Sequence, residues 1–193
     1  MNILYCGDAN MQKGIYLSAV SICSKNPCPL NIFVLTSDVE GYTAIPTRFA
    51  KKLETALCRH NKESRVRVIN ISEIFGDYLP TANLNTRFTP LCMLRLFADK
   101  VSEIPNKILY LDGDVLCRKD FGELYNLDIS ETEIAGVPDR YGKWFFGNIL
   151  KHNYLNSGVL LMNMENIRKS GIFEKCRKMC RDEKMFMPDQ TAL

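Results

Sequence analysis

Histidine is scarce in this chain: there are two, His60 and His152, and neither has a partner at metal-ligand spacing. That argues against a zinc centre. The eight cysteines, Cys6, Cys23, Cys28, Cys58, Cys92, Cys117, Cys176 and Cys180, include no C-x-x-C pair. Most stand among apolar neighbours, where a free thiol behaves as a small hydrophobe. A surplus of one charge sign is also lacking. With 25 Lys+Arg against 22 Asp+Glu the net charge is +3, too small to point to nucleic acid. No apolar run reaches the length of a membrane span. Met1-Asn2-Ile3-Leu4-Tyr5-Cys6 has no basic n-region and enters an apolar strand at once, so it does not read as a signal peptide. Reduced thiols and a cytoplasmic location, at most peripheral to the inner face of the membrane, are the expectation. There are no repeats and no low-complexity tracts.

What is present is ordinary for a globular protein: 193 residues, 46% hydrophobic and 24% charged, enough for one domain spanning 1–193 with a sizeable core. Ile3–Cys6 reads as a buried strand that stops at Gly7-Asp8-Ala9-Asn10. A dinucleotide-binding turn would carry G-x-G-x-x-G there; a single glycine followed by Asp8 and Asn10 does not. Tyr16–Cys23 continues as a helix, ended by Asn26-Pro27-Cys28-Pro29. Leu30–Thr36 is a second strand. Pro46–His60 is an amphipathic helix with Phe49, Leu53, Ala56 and Leu57 on one stripe, and Val66–Ile71 is a third strand. This order predicts a parallel, right-handed sheet with helices on both faces.

The central stretch is Lys107–Cys117. Ile108-Leu109-Tyr110-Leu111 is apolar without alternation, as in a strand buried on both faces. It runs into Asp112-Gly113-Asp114. Residues i and i+2 of an extended chain share a side, so both carboxylates can face one point past the strand end, where open α/β sheets bind ligands. Two hard oxygen donors suit Mg²⁺ or Mn²⁺. Two rival readings of the same residues are a hairpin turn, which would want alternating flanks, and a haloacid-dehalogenase type phosphatase with Asp112 as nucleophile and Asp114 as general acid. An EF-hand loop fails, because Leu116 and Cys117 stand where a ligand and a glycine are needed.

Around this stretch, Asn83–Pro90 is polar and loop-like. Leu91–Ala98 is helical and carries Arg95 among Met93, Leu94, Leu96 and Phe97. Such an arginine either snorkels or aims its charge at an anionic group, and both readings stand. Phe121–Leu124 suggests one helical turn, and Ile134–Pro138 is a strand ending in Asp139. Gly142–Leu150, with Trp144, Phe145 and Phe146, is either a sugar-stacking lid or packing. Asn156 and Gly158 interrupt the apolar strand Tyr154–Met162, as at a bulge or a close backbone approach. Ile172–Lys184 is a helix with Cys176 and Cys180 on one face. Met187-Pro188 opens another, with Asp189 as its N-cap.

Taken together, Ile3–Asn10, Arg95, Leu109–Val115, Asn156–Asn163 and Pro188–Ala192 resemble, in order, the family 8 glycosyltransferases. These are retaining enzymes that include bacterial lipopolysaccharide galactosyl- and glucosyltransferases and glycogenin. The resemblance implies a GT-A type, Rossmann-like α/β fold with a mixed, mostly parallel central sheet flanked by helices. It implies hexose transfer from UDP-glucose or UDP-galactose to a glycan or glycolipid acceptor. By the same resemblance Asp8 and Asn10 border the uracil and ribose, and Asp112 and Asp114, with Gly113 between them, hold Mn²⁺ against the diphosphate. Arg95 and Asp189 contact the donor sugar, Asn156 and Gln190 lie near the reacting carbon, and Asp139 holds an acceptor or donor hydroxyl. Gln190 is a poor nucleophile, which favours attack on the leaving group's own face over a covalent intermediate.

The family's later His-x-x-Gly-x-x-Lys-Pro-Trp-like segment does not occur in these residues. Weaker metal affinity is expected, together with exposed apolar surface near Val159–Met162 and the C-terminus and a tendency to self-associate. A non-catalytic nucleotide-binding remnant is therefore a further alternative. The phosphatase reading lacks its second acidic pair and leaves Asn156-Ser157-Gly158 and Asp189-Gln190 unexplained.

Overall fold

A computed structural model describes residues 1–84, 89–139 and 154–193. Strand β1 (Asn2–Cys6) leads through a short 3-10 turn into helix α1 (Gln12–Lys25). Then follow β2 (Asn31–Thr36), α2 (Arg48–Leu57), β3 (Arg65–Asn70) and α3 (Ser72–Asp77). A 3-10 helix over Pro90–Lys100 precedes β4 (Lys107–Leu111), α4 (Gly122–Tyr125) and β5 (Ile134–Pro138). The chain continues with β6 (Leu155–Asn163), α5 (Met164–Ser170), α6 (Ile172–Asp182) and α7 (Pro188–Ala192). Asn85–Phe88 of the polar loop, the aromatic stretch Gly142–Leu150 and His152 lie outside the described residues.

The six strands form one sheet in the order β3-β2-β1-β4-β6-β5. The pairs β3-β2, β2-β1 and β1-β4 are parallel; β6 runs antiparallel to both neighbours. Two-sided burial explains why these strands read as unbroken apolar runs. Leu4, Ile108, Tyr110, Leu160 and Met162 pack on one face under the 3-10 helix, α5 and α6. Ile3, Tyr5, Leu109, Leu111 and Leu161 pack on the other under α1 and α2. Phe49, Leu53 and Leu57 of the predicted α2 stripe are all buried there.

Three expectations are corrected. Leu160, Leu161 and Met162 are buried, because β6 sits between β4 and β5 with side chains packed on both faces. The apolar surface expected near Val159–Met162 is therefore not formed, although Phe186 near the C-terminus is exposed. Asp189 is not an N-cap: Met187 takes that position and Pro188 the first helical one, which places Asp189 inside α7. The helix around Arg95 is 3-10 over eleven residues, longer than such helices usually run. Thr89 caps its start by accepting from the Leu91 N–H at 3.3 Å.

The last two helices are fastened to the 3-10 segment. Arg177 of α6 pairs with Asp99 at 2.5 and 3.0 Å, donates to the Leu96 carbonyl and lies over the Phe97 ring. Asn83, fully buried, donates to the carbonyls of Cys180 and Glu183 at 2.5 and 2.6 Å and accepts from Met185 N at 2.9 Å. That clamp fixes where α7 begins and hence where Asp189 and Gln190 stand. All eight cysteines are free thiols.

Candidate active site

The ends of β1 and β4, the start of β6, the 3-10 helix and α7 meet at one edge of the sheet. They enclose a cleft of about 410 Å³ lined by, among others, Asp8, Arg95, Asp112, Gly113, Asp114, Ser157, Asp189 and Gln190. That volume lies within the ~300–1,000 Å³ of small-molecule sites, at the sheet position where open α/β folds bind ligands.

Asp112 and Asp114 reach this cleft through a turn, not through the extended run expected from their spacing. Val115 N–H donates to the Asp112 carbonyl at 3.1 Å. The turn is not a hairpin, since β4 pairs with β1 and β6 and not with the residues that follow. The close approach here is to protein: a Cβ on Gly14 of α1 would stand 2.6 Å from the Gly113 carbonyl oxygen, and a Cβ on Gly113 would stand 3.0 Å from Met11 Cε and 3.2 Å from Ile15 Cγ1. Two glycines thus let the first turn of α1 seat on the carboxylate turn backbone to backbone.

Arg95 does not snorkel. It is buried, lies over the Tyr110 ring at 4.1 Å, and places Nη2 3.1 Å from Asp112 Oδ1 and 3.2 Å from Asp189 Oδ2. Nη1 donates to the Ser157 carbonyl and Nε to the Cys92 carbonyl at 3.0 Å. Burial opposes its charge, but Tyr110, Asp189 and Asp112 outweigh burial and hold its pKa above the ordinary arginine value. The Tyr110 hydroxyl donates to the same Asp112 Oδ1 at 2.5 Å, and burial raises that phenol's pKa well above its ordinary value. These contacts all fall on Oδ1. Oδ2 lies 2.9 Å from where a Cβ of Gly158 would stand, and Asn156 Oδ1 lies 3.2 Å from the same point. A side chain at Gly158 would therefore crowd both oxygens.

Asp189 and Gln190 are tied together through Ser157. Its hydroxyl donates to Asp189 Oδ2 at 3.1 Å and lies 3.4 Å from Gln190 Oε1. Its backbone N–H donates to Gln190 Oε1 at 3.3 Å, and Gln190 Nε2 donates to Asp139 Oδ2 at 2.8 Å. Asp8 is buried at the end of β1 and accepts from Asn10 Nδ2 at 2.7 Å. Asp8, Arg95, Asp112, Gly113, Asp114, Asp189 and Gln190 line the cleft together; Asn10 and Asp139 touch it through Asp8 and Gln190, whereas Asn156 is outside the lining and accepts from the Gly158 N–H at 3.0 Å. Sequence reasoning missed Tyr110 and Ser157. The first passed as one more apolar strand residue, and the second was overshadowed by Asn156 and Gly158. A polar atom on the last inward residue of a buried strand was the available signal for Tyr110.

As for a metal, no group of three or more His, Cys, Asp or Glu side chains is placed to hold one among the described residues. The donor set that is present, Asp112 Oδ2 and an exposed Asp114 carboxylate, consists of hard anionic oxygens. It fits an ion such as Mn²⁺ or Mg²⁺ that keeps water and phosphate oxygens as its other ligands.

An α/β sheet with carboxylates gathered at its carboxyl edge is the architecture of GT-A glycosyltransferases, and the solved structures similar to this one have that fold. The galactosyltransferase LgtC in complex with donor and acceptor sugar analogues aligns with a TM-score of 0.77 at 21% identity, covering 100% of this chain and 70% of that one. The glycosyltransferase GlyE of Streptococcus pneumoniae aligns with a TM-score of 0.72 at 20% identity, covering 99% and 41%. The chain belongs to glycosyl transferase family 8, whose sequence profile matches residues 2–193. It is 25% identical over 202 residues to a lipopolysaccharide 1,2-glucosyltransferase of Escherichia coli K12, covering 100% of this chain and 57% of that protein. It is also 25% identical over 189 residues to a lipopolysaccharide 1,3-galactosyltransferase of Salmonella typhimurium, covering 94% and 53%. The chain thus spans a little over half the length of these two relatives. The phosphatase reading of Asp112 is not favoured.

Proposed function

We propose that this domain transfers a hexose from UDP-glucose or UDP-galactose to a glycan or glycolipid acceptor with retention of configuration, assisted by Mn²⁺ or Mg²⁺. The observation that carries this reading is the convergence of Asp8, Asp112, Asp114, Asp189 and Gln190 on one cleft in a family 8 chain. Relatives named as lipopolysaccharide glucosyl- and galactosyltransferases support the hexose and the acceptor class.

In this reading Asp8, steadied by Asn10, meets the nucleoside. Asp112 and Asp114 hold the metal, which would neutralise charge developing on the departing diphosphate. Arg95 organises Asp112 and Asp189 in the cleft wall, and Asp189 faces the sugar. Gln190 and Asn156 orient the sugar as it becomes oxocarbenium-like. Both heteroatoms of the Gln190 amide are engaged by protein, which supports attack from the face of the leaving group without a covalent glycosyl intermediate on that side chain.

Calorimetric titration of UDP tests the reading. Binding should appear with Mn²⁺ and vanish on adding a chelator. A folded chain that binds UDP equally in both conditions, or in neither, would refute the metal-assisted site. Release of phosphate from a small phosphoester would revive the phosphatase. UDP binding without transfer to any acceptor would favour a nucleotide-binding remnant.

A further inference from the structure

Asp112 has two carboxylate oxygens, and the protein treats them differently. Oδ1 accepts from the Tyr110 hydroxyl at 2.5 Å and from Arg95 Nη2 at 3.1 Å. A carboxylate oxygen offers about two lone-pair sites, so these two donors fill Oδ1. Among the described residues no hydrogen bond reaches Oδ2. Neither donor swings aside without loss. Arg95 is also tied by Nη1 to the Ser157 carbonyl, by Nε to the Cys92 carbonyl at 3.0 Å and by Nη2 to Asp189 at 3.2 Å. Tyr110 is buried with the Arg95 guanidinium 4.1 Å over its ring, and a phenol that left Oδ1 would be an unpaired buried donor. Turning the carboxylate over changes nothing, because it exchanges two identical oxygens.

We propose that Tyr110 is a positioning residue that, with Arg95, makes Asp112 a one-oxygen ligand and so biases the site toward a small octahedral cation, Mn²⁺ or Mg²⁺, and against Ca²⁺. This inference rests on the metal-assisted UDP-sugar reading of the cleft. An octahedral ion with ligands at ~2.0–2.1 Å, as Mg²⁺ requires, is served by single carboxylate oxygens, water and phosphate. Ca²⁺ gathers about 6–8 oxygens and gains from a carboxylate that gives both of its own. To take both oxygens of Asp112 it must displace the Tyr110 hydroxyl. Asp114, exposed and without a side-chain hydrogen bond among the described residues, still has two oxygens to give. The result is therefore a preference and not an exclusion.

The test measures UDP affinity by calorimetry with saturating Mn²⁺ and with saturating Ca²⁺, in wild type and in Tyr110→Phe. Phenylalanine keeps a ring under Arg95 and removes only the hydroxyl, which opens one site on Oδ1. The ratio of Mn²⁺-supported to Ca²⁺-supported affinity cancels any general weakening, which is all that a merely structural hydroxyl would cause. Wild type should favour Mn²⁺. Tyr110→Phe should shrink the ratio by about tenfold, the weight of one hydrogen bond to a charged group. A ratio unchanged in Tyr110→Phe, or a wild type that favours Ca²⁺, overturns the proposal and leaves the UDP site standing. UDP binding with neither ion refutes the donor-site reading, and the proposal falls with it.

A crystal structure of wild type with UDP and Ca²⁺ needs no variant and checks the same point. The cation should meet Asp112 through Oδ2 alone, at the ~2.3–2.6 Å of a Ca²⁺–oxygen bond, with the Tyr110 hydroxyl still on Oδ1. Both Asp112 oxygens on the ion, with that hydroxyl displaced, would refute the proposal even where UDP binds.

Discussion

Replacing Arg95 with methionine offers the sharpest check on how this site is held together. The arginine side chain is 4% exposed and its partner Asp189 10%, whereas Asp112 is 39% exposed. Removing one partner of a buried pair leaves an uncompensated charge and costs about 3–5 kcal/mol. The Asp112 half of the fork is open enough to water to add only ~0–1 kcal/mol. Loss of the guanidinium stacked on Tyr110 is partly offset by the new methionine packing on the same ring. A net loss of about 3–4 kcal/mol is expected, a large share of the ~5–15 kcal/mol that holds a domain together. Most of the cost arises at Asp189, so Asp189→Asn should recover about 2 kcal/mol in the Arg95→Met background while being destabilising on its own. Urea unfolding of the four chains of this double-mutant cycle, with slopes compared so that only midpoint shifts are read as stability, gives the coupling. A loss below about 1 kcal/mol, or an Asp189→Asn change that adds to the damage, would show that Arg95 is not the buried counter-charge described here.

Asp114→Asn should abolish Mn²⁺-dependent UDP binding without moving the unfolding midpoint, because Asp114 is exposed and makes no side-chain hydrogen bond or ion pair among the described residues; calorimetry and urea unfolding on the same sample report both. Asn83→Ala removes three hydrogen bonds to the backbone around α6 and α7 and should cost about 2–4 kcal/mol, read from unfolding; hydrogen exchange should rise first in α7. Stability should fall as pH rises above about 8.5, where unfolded thiols ionise. Burial pushes Cys176 up to about 11 and Cys180 up to about 12, and Cys6, Cys92 and Tyr110 move in the same direction. The folded chain thus keeps protons that the unfolded chain releases, and the stability present below the unfolded thiol pKa is lost through that window. Denaturant midpoints that do not change between pH 8 and pH 10 would contradict this.

The strands were legible because two-sided burial writes itself as an unbroken apolar run, and Ile3–Cys6, Ile108–Leu111 and Val159–Met162 all have one. Their directions were not: periodicity is the same read either way, so nothing in Leu155–Asn163 announces that β6 is antiparallel. The carboxylate turn could be found from composition, but not the seat that Gly14 provides for it, since that depends on where α1 crosses the sheet. Arg95 was ambiguous because an apolar helical context is shared by snorkelling and buried arginines, and only the placement of Asp112 and Asp189 separates the two. Asp189 was misread as a cap because Pro188 can stand either side of a helix start. The Asp139–Gln190 bond joins residues 51 positions apart and depends on the Asn83 clamp, so no local pattern could reveal it.

The strand order also dictates an order of assembly. Strand β5 is made before β6, yet its ladder in the sheet is with β6, which must enter between β4 and β5. Until Leu155–Asn163 has been synthesised, β5 has no neighbour in this sheet, and one edge of β4 stands open to mispairing. The β3-β2-β1-β4 half has no such wait, being built from parallel neighbours already in the chain. Ser157 arrives with β6, and Asp189 and Gln190 later still. The carboxylate end of the cleft is therefore laid down well before the end that would read the sugar.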